Sequence, residues 1–305
     1  MSATHEAPVV AAGPTACMLC GGARMLPRFP SRRTDGRSER TTEPYRITHS
    51  ERRFVHAIVR CADCGMVMLP LHHAPGVRYA DAADPYYVEQ ADERLANAHR
   101  LLDLIPAGGR LLEIGCACGF LLVAARERGF AVQGVEMSAW AAAYARDTYG
   151  LDVRTGSIEA LGLPAASYEV VVMADVIEHL VDPRQTVREI HRLLRPGGRL
   201  VVLTPDVGSV MARLFGARWW GLLDDHYVYF SRPTLRRFLT SEGFAVDRLA
   251  ALGRAFRLSH WTFKLAPYSE RLHAALAGAT RVLHIDGLQV PINLGDQMAC
   301  VARKP

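Results

Sequence analysis

Two C-x-x-C-G pairs stand near the start of the chain: "CMLCGG", with Cys17 and Cys20, and "CADCGM", with Cys61 and Cys64. Each pair sets two thiolates on one turn, and four thiolates suit a tetrahedral structural zinc that is closed to substrate. Free thiols are the alternative. A third stretch, "RLLEIGCACGF", holds Cys116 and Cys118 between Gly115 and Gly119. C-x-C is poor spacing for a redox pair, and no nearby histidine or cysteine completes a zinc set, so the glycines carry the signal and the thiols read as small fillers. An apolar run that ends in a glycine turn and then a helix offers bare backbone N–H groups to a ligand. Glu136 follows about 20 residues later, at the end of the next apolar run, where a carboxylate can accept the hydroxyl hydrogens of a ribose. A solvated strand-end glutamate is the plainer reading. For proton transfer the candidates are His226 and His179. His226 lies in "RWWGLLDDHYVYFSRPTL", where Trp219, Trp220, Tyr227 and Tyr229 can form an apolar lid beside Asp224 and Asp225. It titrates near neutrality, and an aspartate neighbour would raise its basicity; otherwise it is a surface histidine in an aromatic loop. His179, in "VIEHLVDP", either abstracts a proton or organises its loop.

These residues need a frame, and residues 81 to 205 supply one. "RLLEIG", "AVQGVE", "YEVVVMAD" and "RLVVLTP" read as strands. Between them lie helical patterns: "FLLVAARERG" closed by Gly129, "AWAAAYARDTYG" capped by Ser138 and ended by Gly150, and a helix opened by Asp182-Pro183 with Val187, Ile190 and Leu194 on its apolar face. "RPGG" stops the last of them. Strands alternating with helices of this length predict an α/β fold whose parallel sheet is covered on both faces. Residues 1–80 hold the four spaced cysteines and little helical periodicity, and form a small zinc-ribbon-like module. Residues 81–305 form the main domain, with lid insertions around 206–232 and 253–290.

The chain has 305 residues, half of them apolar, which is enough for a substantial core. Its formal charge of +5 does not by itself imply nucleic acid, although residues 24 to 60 carry ten arginines. A solvated loop is the common explanation of that tract. An RNA-binding face is the sharper one, and it lacks an aromatic stacking pattern, since Phe29, Tyr45 and Phe54 are scattered. No long uncharged apolar run suggests a membrane span, and the first 20 residues show no secretory pattern, so a soluble cytoplasmic protein with reduced or metal-bound thiols is expected.

Taken together, "LLEIGCACG", "VQGVEMS", "LPAASYEVVVMADVIEHLVDP" and "LRPGGRLVVLTPD" resemble class I S-adenosylmethionine-dependent methyltransferases, in the branch of ubiquinone- and sugar-methyltransferase-like bacterial enzymes. The resemblance covers residues 81 to 305. It implies a Rossmann-like sheet of seven strands, the last antiparallel, with "LGDQMACVARKP" as the final strand. It places Gly115, Cys116 and Gly119 against the methionine part of the cofactor, with Glu113 shaping that site and Ala174 and Asp175 bordering it. Glu136 would hold the ribose, Met137 would pack on the adenine, and Ser157 and Ile158 stand where the family more often has an aspartate and an apolar residue. Ala117 replaces the middle glycine of the family's turn and is tolerated if its φ stays negative. The histidine of the family's "H-x-x-x-F-S" segment, catalytic in sugar C-methyltransferases, corresponds to His226. Tyr86 or Tyr87 would close over the sulfonium, since aromatic faces attract such a cation, or would simply pack in the core. The implied function is methyl transfer to a small-molecule acceptor in secondary, quinone or sugar metabolism, with oxygen as the default acceptor and carbon or nitrogen open. Zinc would serve architecture only, with no metal in the chemistry. RNA-base methylation through the arginine-rich segment and a non-catalytic cofactor-binding protein are the rivals. A homodimer is compatible with lid-bearing members, and no sequence feature decides it.

Overall fold

Val170, Val171, Val172 and Met173 follow one another without a polar interruption, and each is buried, as are Leu111 and Leu112. Such strands require cover on both faces. The computed structural model describes residues 16–30, 57–70, 79–223, 225–266 and 269–305. Asp224 and most of the arginine-rich tract, with Tyr45 and Phe54, lie outside the described residues.

In chain order the first elements are β1 (Met25–Phe29), β2 (Ile58–Cys61), β3 (Val67–Met68), α1 (Pro85–Glu89) and α2 (Ala91–Leu102). An alternating stretch follows: β4 (Gly109–Ile114), α3 (Phe120–Glu127), β5 (Phe130–Glu136), α4 (Ala139–Tyr149), β6 (Val153–Thr155), β7 (Tyr168–Ala174), α5 (Pro183–Leu193) and β8 (Leu194–Pro205). The rest comprises α6 (Val210–Phe215), β9 (Val228–Tyr229), α7 (Arg232–Ser241), β10 (Ala245–Ala251), β11 (Arg254–Arg257), α8 (Leu258–Phe263), α9 (Glu270–Val282), β12 (Gln289–Ile292) and β13 (Gln297–Arg303).

The large sheet has the order β10-β13-β8-β7-β4-β5-β6. Strands β4 to β8 pair in parallel, and β13 runs antiparallel to both β8 and β10. This is the seven-stranded Rossmann-like arrangement expected. Its helices start where their caps dictate. The Ser138 hydroxyl accepts from the Ala141 N–H at 3.0 Å, and Asp182 accepts from Arg184 and Gln185 ahead of Pro183. Gly150 ends α4 in the left-handed region. The "RPGG" stretch lies within β8, which begins at Leu194 directly after α5.

The cysteine-bearing segment has a sheet of its own, in the order β1-β2-β3-β9. Its last strand comes from Val228–Tyr229, far along the chain, pairing antiparallel with β3. Cys17, Leu19, Ile58 and Met66 share one apolar cluster with Leu112, Val171 and Ile190 of the main domain. Arg184, in α5, donates to the carbonyls of Met18 and Leu19 at 3.1 Å, which clamps the first cysteine turn onto the domain. Among the described residues, no helix is long and apolar enough to cross a membrane.

Candidate active site

The parallel strands β4, β5 and β7 end along one edge, and a cavity of about 1440 Å³ opens there, lined also by residues within 217–223, 225–226, 252–266 and 270–297. Gly115 and Ala117 face it from the β4–α3 turn. A Cβ on Gly115 would come within 2.6 Å of Val176 Cγ2, and its φ is +69°, so glycine is required there on both counts. Ala117 has a φ of +44°, contrary to the negative value expected of an alanine in this turn. The turn is held in that shape by Glu136, whose Oε2 accepts the Ala117 N–H and whose Oε1 accepts the Ser138 N–H, both at 2.8 Å. Burial pushes the Glu136 carboxyl up, and the N–H donors of Ser138 and Ala117 oppose that shift. One carboxylate thus fixes the turn, the head of α4 and an acceptor on the cavity wall.

Met137, Ser157 and Ile158 continue the wall past Glu136, and Ala174 and Asp175 border it at the end of β7. Asp175 has a φ of +55° and receives the Arg254 guanidinium on both oxygens at 2.6 Å. Burial raises its carboxyl and Arg254 more than offsets this, leaving it below the usual range. Cys116 and Gly119 do not line the cavity. The Cys116 thiol is buried where a Gly134 side chain would otherwise sit, and a Cβ on Gly119 would strike Leu151 and Ala145, so this glycine serves helix packing. Glu113 lies behind the wall, 5% exposed, with its Oε2 lacking a hydrogen-bond partner among the described residues. Burial and the neighbouring Glu136 hold its carboxyl well above the ordinary value.

Tyr87 lines the cavity, and the Arg94 guanidinium already covers its ring at 3.8 Å. Tyr86 instead faces outward beside a separate cavity of about 310 Å³. Trp220 lines the main cavity and donates its indole N–H to Asp296 at 2.6 Å. Tyr227 is buried and does not line it. Its N–H donates to the Glu178 carbonyl at 2.8 Å, and its carbonyl accepts from Leu69 at 2.9 Å.

His179 and His226 both face the cavity and meet edge to face, 4.6 Å between ring centroids. His179 Nδ1 lies 2.7 Å from the Tyr79 hydroxyl and 3.0 Å from the Asp225 carbonyl. His226 Nδ1 lies 3.1 Å from the Gly221 carbonyl. Asp225 acts to raise its pKa, as the sequence suggested, but is outweighed. Burial, then the neighbouring His179, lower it to about 3, so the ring is neutral and a weak base. Beside them Glu178 is 1% exposed, and its Oε2 accepts the Thr204 hydroxyl at 3.0 Å. Arg254, Arg94, Glu178 and Tyr79 are the site residues that sequence reasoning missed. Glu178 is adjacent to His179 in the sequence, which is signal enough to find it; Arg254 meets Asp175 across 79 residues, a separation that leaves no periodic trace.

The four N-terminal thiols converge as well. Cys17 Sγ lies 3.4 Å from Cys64 Sγ, Cys20 Sγ lies 3.6 Å from Cys61 Sγ, and one sulfur from each falls within 4.8 Å of the others. Sulfurs tetrahedral around zinc at 2.3 Å would be roughly 3.8 Å apart, so the donor set and its spacing fit that ion. Burial raises the Cys61 thiol, but the N–H groups of Cys64 and Asp63 outweigh it and bring the pKa to about 7.

A family profile described as a methyltransferase domain matches residues 87–249, more than half of the chain. A probable S-adenosylmethionine-dependent methyltransferase of Mycolicibacterium smegmatis is 41% identical over 101 residues, 33% of this chain and 39% of that protein. A ubiquinone biosynthesis O-methyltransferase of Pseudomonas aeruginosa is 33% identical over 105 residues, 32% of this chain and 45% of that protein. The match therefore spans less than half the length of these relatives. Among solved structures, a SAM-dependent methyltransferase of Archaeoglobus fulgidus superposes with a TM-score of 0.51 at 20% identity, covering 72% of this chain and 100% of that one. The glycine turn, the carboxylate after the second strand of the fold and the antiparallel final strand now stand beside a profile match over most of that sheet: the chain belongs to the methyltransferase-domain family.

Proposed function

We propose that this protein transfers a methyl group from S-adenosylmethionine to a small-molecule acceptor, with an oxygen acceptor in secondary, quinone or sugar metabolism as the favoured case. One observation carries the reading: Glu136 and the Gly115–Ala117 turn share a single cavity with His179 and His226. Its volume of about 1440 Å³ exceeds the roughly 300–1,000 Å³ of a pocket for one small ligand, which leaves room for an acceptor beside the cofactor. The kinship with ubiquinone biosynthesis O-methyltransferases supports an oxygen nucleophile.

When bound, S-adenosylmethionine supplies an electrophilic methyl group on its sulfonium. The chain's own residues bind and orient. Glu136 accepts the ribose hydroxyls while keeping its two backbone N–H donors, Met137 covers the adenine, and Ser157 and Ile158 close that end. Ala174 and the Asp175–Arg254 pair border the methionine end, with the Glu113 carboxyl behind it. Trp220 and Tyr87 exclude water, which strengthens every charge interaction within. His179 and His226 face the acceptor, and one of them takes its proton. The four N-terminal cysteines hold a structural zinc, in this reading, and shape the lid that carries His226.

Incubating the purified chain with labelled S-adenosylmethionine and a panel of catechol, phenol and sugar acceptors tests the activity. The expected result is a labelled product made only with intact His179 and His226. Saturable cofactor binding in calorimetry with no product from any acceptor would favour a non-catalytic binding protein, and no binding at all would overturn the reading entirely.

A further inference from the structure

We propose that Lys264, with His260 beside it, makes the main cavity selective for acceptors that carry a carboxylate on an aromatic or apolar body. Use of the subsite by an acceptor rests on the methyltransferase reading; the binding of a carboxylate there does not. The chain holds 36 lysines and arginines, and only Lys264 and Lys304 are lysines. Lys304 serves the fold: its Nζ donates to the carbonyls of His191 at 2.7 Å and Leu194 at 2.8 Å. Lys264 follows α8, with its backbone N–H on the His260 carbonyl at 3.1 Å, and its partly buried side chain lines the main cavity. Among the described residues its Nζ makes neither a hydrogen bond nor a salt bridge. The charges at that end are otherwise engaged. Arg254 holds Asp175, Asp296 accepts the Trp220 indole N–H at 2.6 Å, and Glu270 lines the cavity from an exposed position.

An ammonium taken partly out of water without an opposite charge is costly. Burial, then the Arg254 guanidinium, lower the Lys264 pKa to about 8, and Asp296 opposes them without restoring the ordinary value. The amine is still mostly protonated at neutral pH. His260 stands four residues earlier, so the two side chains leave α8 and its end on one face. Its Nε2 is buried and has no hydrogen-bond partner among the described residues. Burial, then Lys264, lower the His260 pKa to about 3, so the ring is neutral and its Nε2 can carry the proton as a donor. The ring lines the same cavity and stacks on Phe256, 4.2 Å between centroids. A carboxylate offers one oxygen to the ammonium and one to the imidazole N–H, and its single charge matches that of Lys264. Phe256, Trp261, Phe263, Ile292 and Leu294 line the cavity from the same segments and give the body of such an acceptor an apolar wall.

No bond is made or broken at Lys264. The ion pair is the same in the bound acceptor and in the transition state, so it acts on KM and not on kcat. A neutral analogue leaves both nitrogens without a partner, and a site built around polar groups rejects a ligand that lacks theirs. Lys264 is therefore a specificity-determining residue.

The test pairs acids with their neutral amides. Catechol carboxylates with no, one or two methylenes between ring and acid, each beside its primary amide, are titrated into the full chain by calorimetry, with and without S-adenosylhomocysteine. At least one acid is expected to bind about tenfold or more tightly than its amide. Lys264→Met should bring that ratio to within about twofold, and Lys264→Arg, which keeps the charge, should retain most of it, with circular dichroism confirming that both fold. In turnover the difference between acid and amide should lie in KM. No acid preferred over its amide by wild type, or a preference that survives Lys264→Met, would overturn the proposal. A second readout follows from the scarcity of lysine. Reductive methylation with carbon-13 formaldehyde marks Lys264, Lys304 and the terminal amine, and the Lys264 signal should titrate at about 8 in the free chain. Binding of the preferred acid should raise that value by about one pH unit or more, the counterpart of a tenfold preference, and an unmoved titration counts against the proposal. A preference lost in Lys264→Met, in a chain that binds no S-adenosylhomocysteine and makes no methylated product, would sink the methyltransferase reading and leave the acid subsite standing. Methyl transfer with equal kcat/KM for acid and amide would do the opposite.

Discussion

Ala117 holds a left-handed backbone conformation that costs an L residue about 1 kcal/mol or more, and it does so because Glu136 takes its N–H. Ala117→Gly should therefore raise the melting temperature by about 2–4 °C, a gain partly offset by the freedom glycine adds to the unfolded chain. Glu136→Gln replaces one acceptor oxygen with a donor facing a backbone N–H, and the lost charged hydrogen bonds predict a fall in cofactor affinity of about 10- to 100-fold by calorimetry. Glu113 gives a pH signature. Its carboxyl is raised in the folded state by burial and by Glu136, so the fold holds that proton more tightly than the unfolded chain does. Stability from this group is present below the unfolded value of about 4.5 and is lost as pH rises above it. Melting of the cofactor-free protein at pH 5 and pH 8 should show a smaller loss in Glu113→Gln than in wild type. Much at this scale was legible: Gly115 and Glu136 announced themselves because their roles are local to a strand end. The depressed pKa of His226 was not, because an adjacent aspartate is visible in a sequence whereas burial beside His179 is not.

Elements followed the sequence closely where their signals were short-ranged. Ser138 and Asp182 cap the helices they precede, and the apolar runs became β4, β5, β7 and β8. The partner of β3 was beyond such reading, since "VY" at 228–229 is too short to show a period and lies about 160 residues downstream. That pairing links the thiolate cluster to the cavity: β3 leads to Leu69, Leu69 binds Tyr227, and Tyr227 follows His226 and binds Glu178. If the four cysteines hold zinc as proposed, chelating it, or substituting Cys61→Ser, should lower the melting temperature by at least about 5 °C. Turnover should fall about tenfold or more with cofactor affinity within about twofold, since Gly115 and Glu136 depend on β4 and β5 instead. A matching loss of cofactor affinity would mean the cluster supports the whole domain and not the lid.

For the molecule as a whole, ligand binding to one cavity couples the sheet edge to the later segments that line it. S-adenosylhomocysteine at 100 times its dissociation constant should add about 2.7 kcal/mol, read in a melting scan as a rise of about 5–10 °C. The division near residue 80, legible as a change of texture, is crossed by a four-stranded sheet and by one shared apolar cluster. A fragment beginning at residue 81 would keep Val228–Tyr229 without its neighbour, and a fragment ending at residue 80 would present the bare edge of β3 to any passing strand. Neither half is therefore a sound piece to express alone or to graft onto another enzyme.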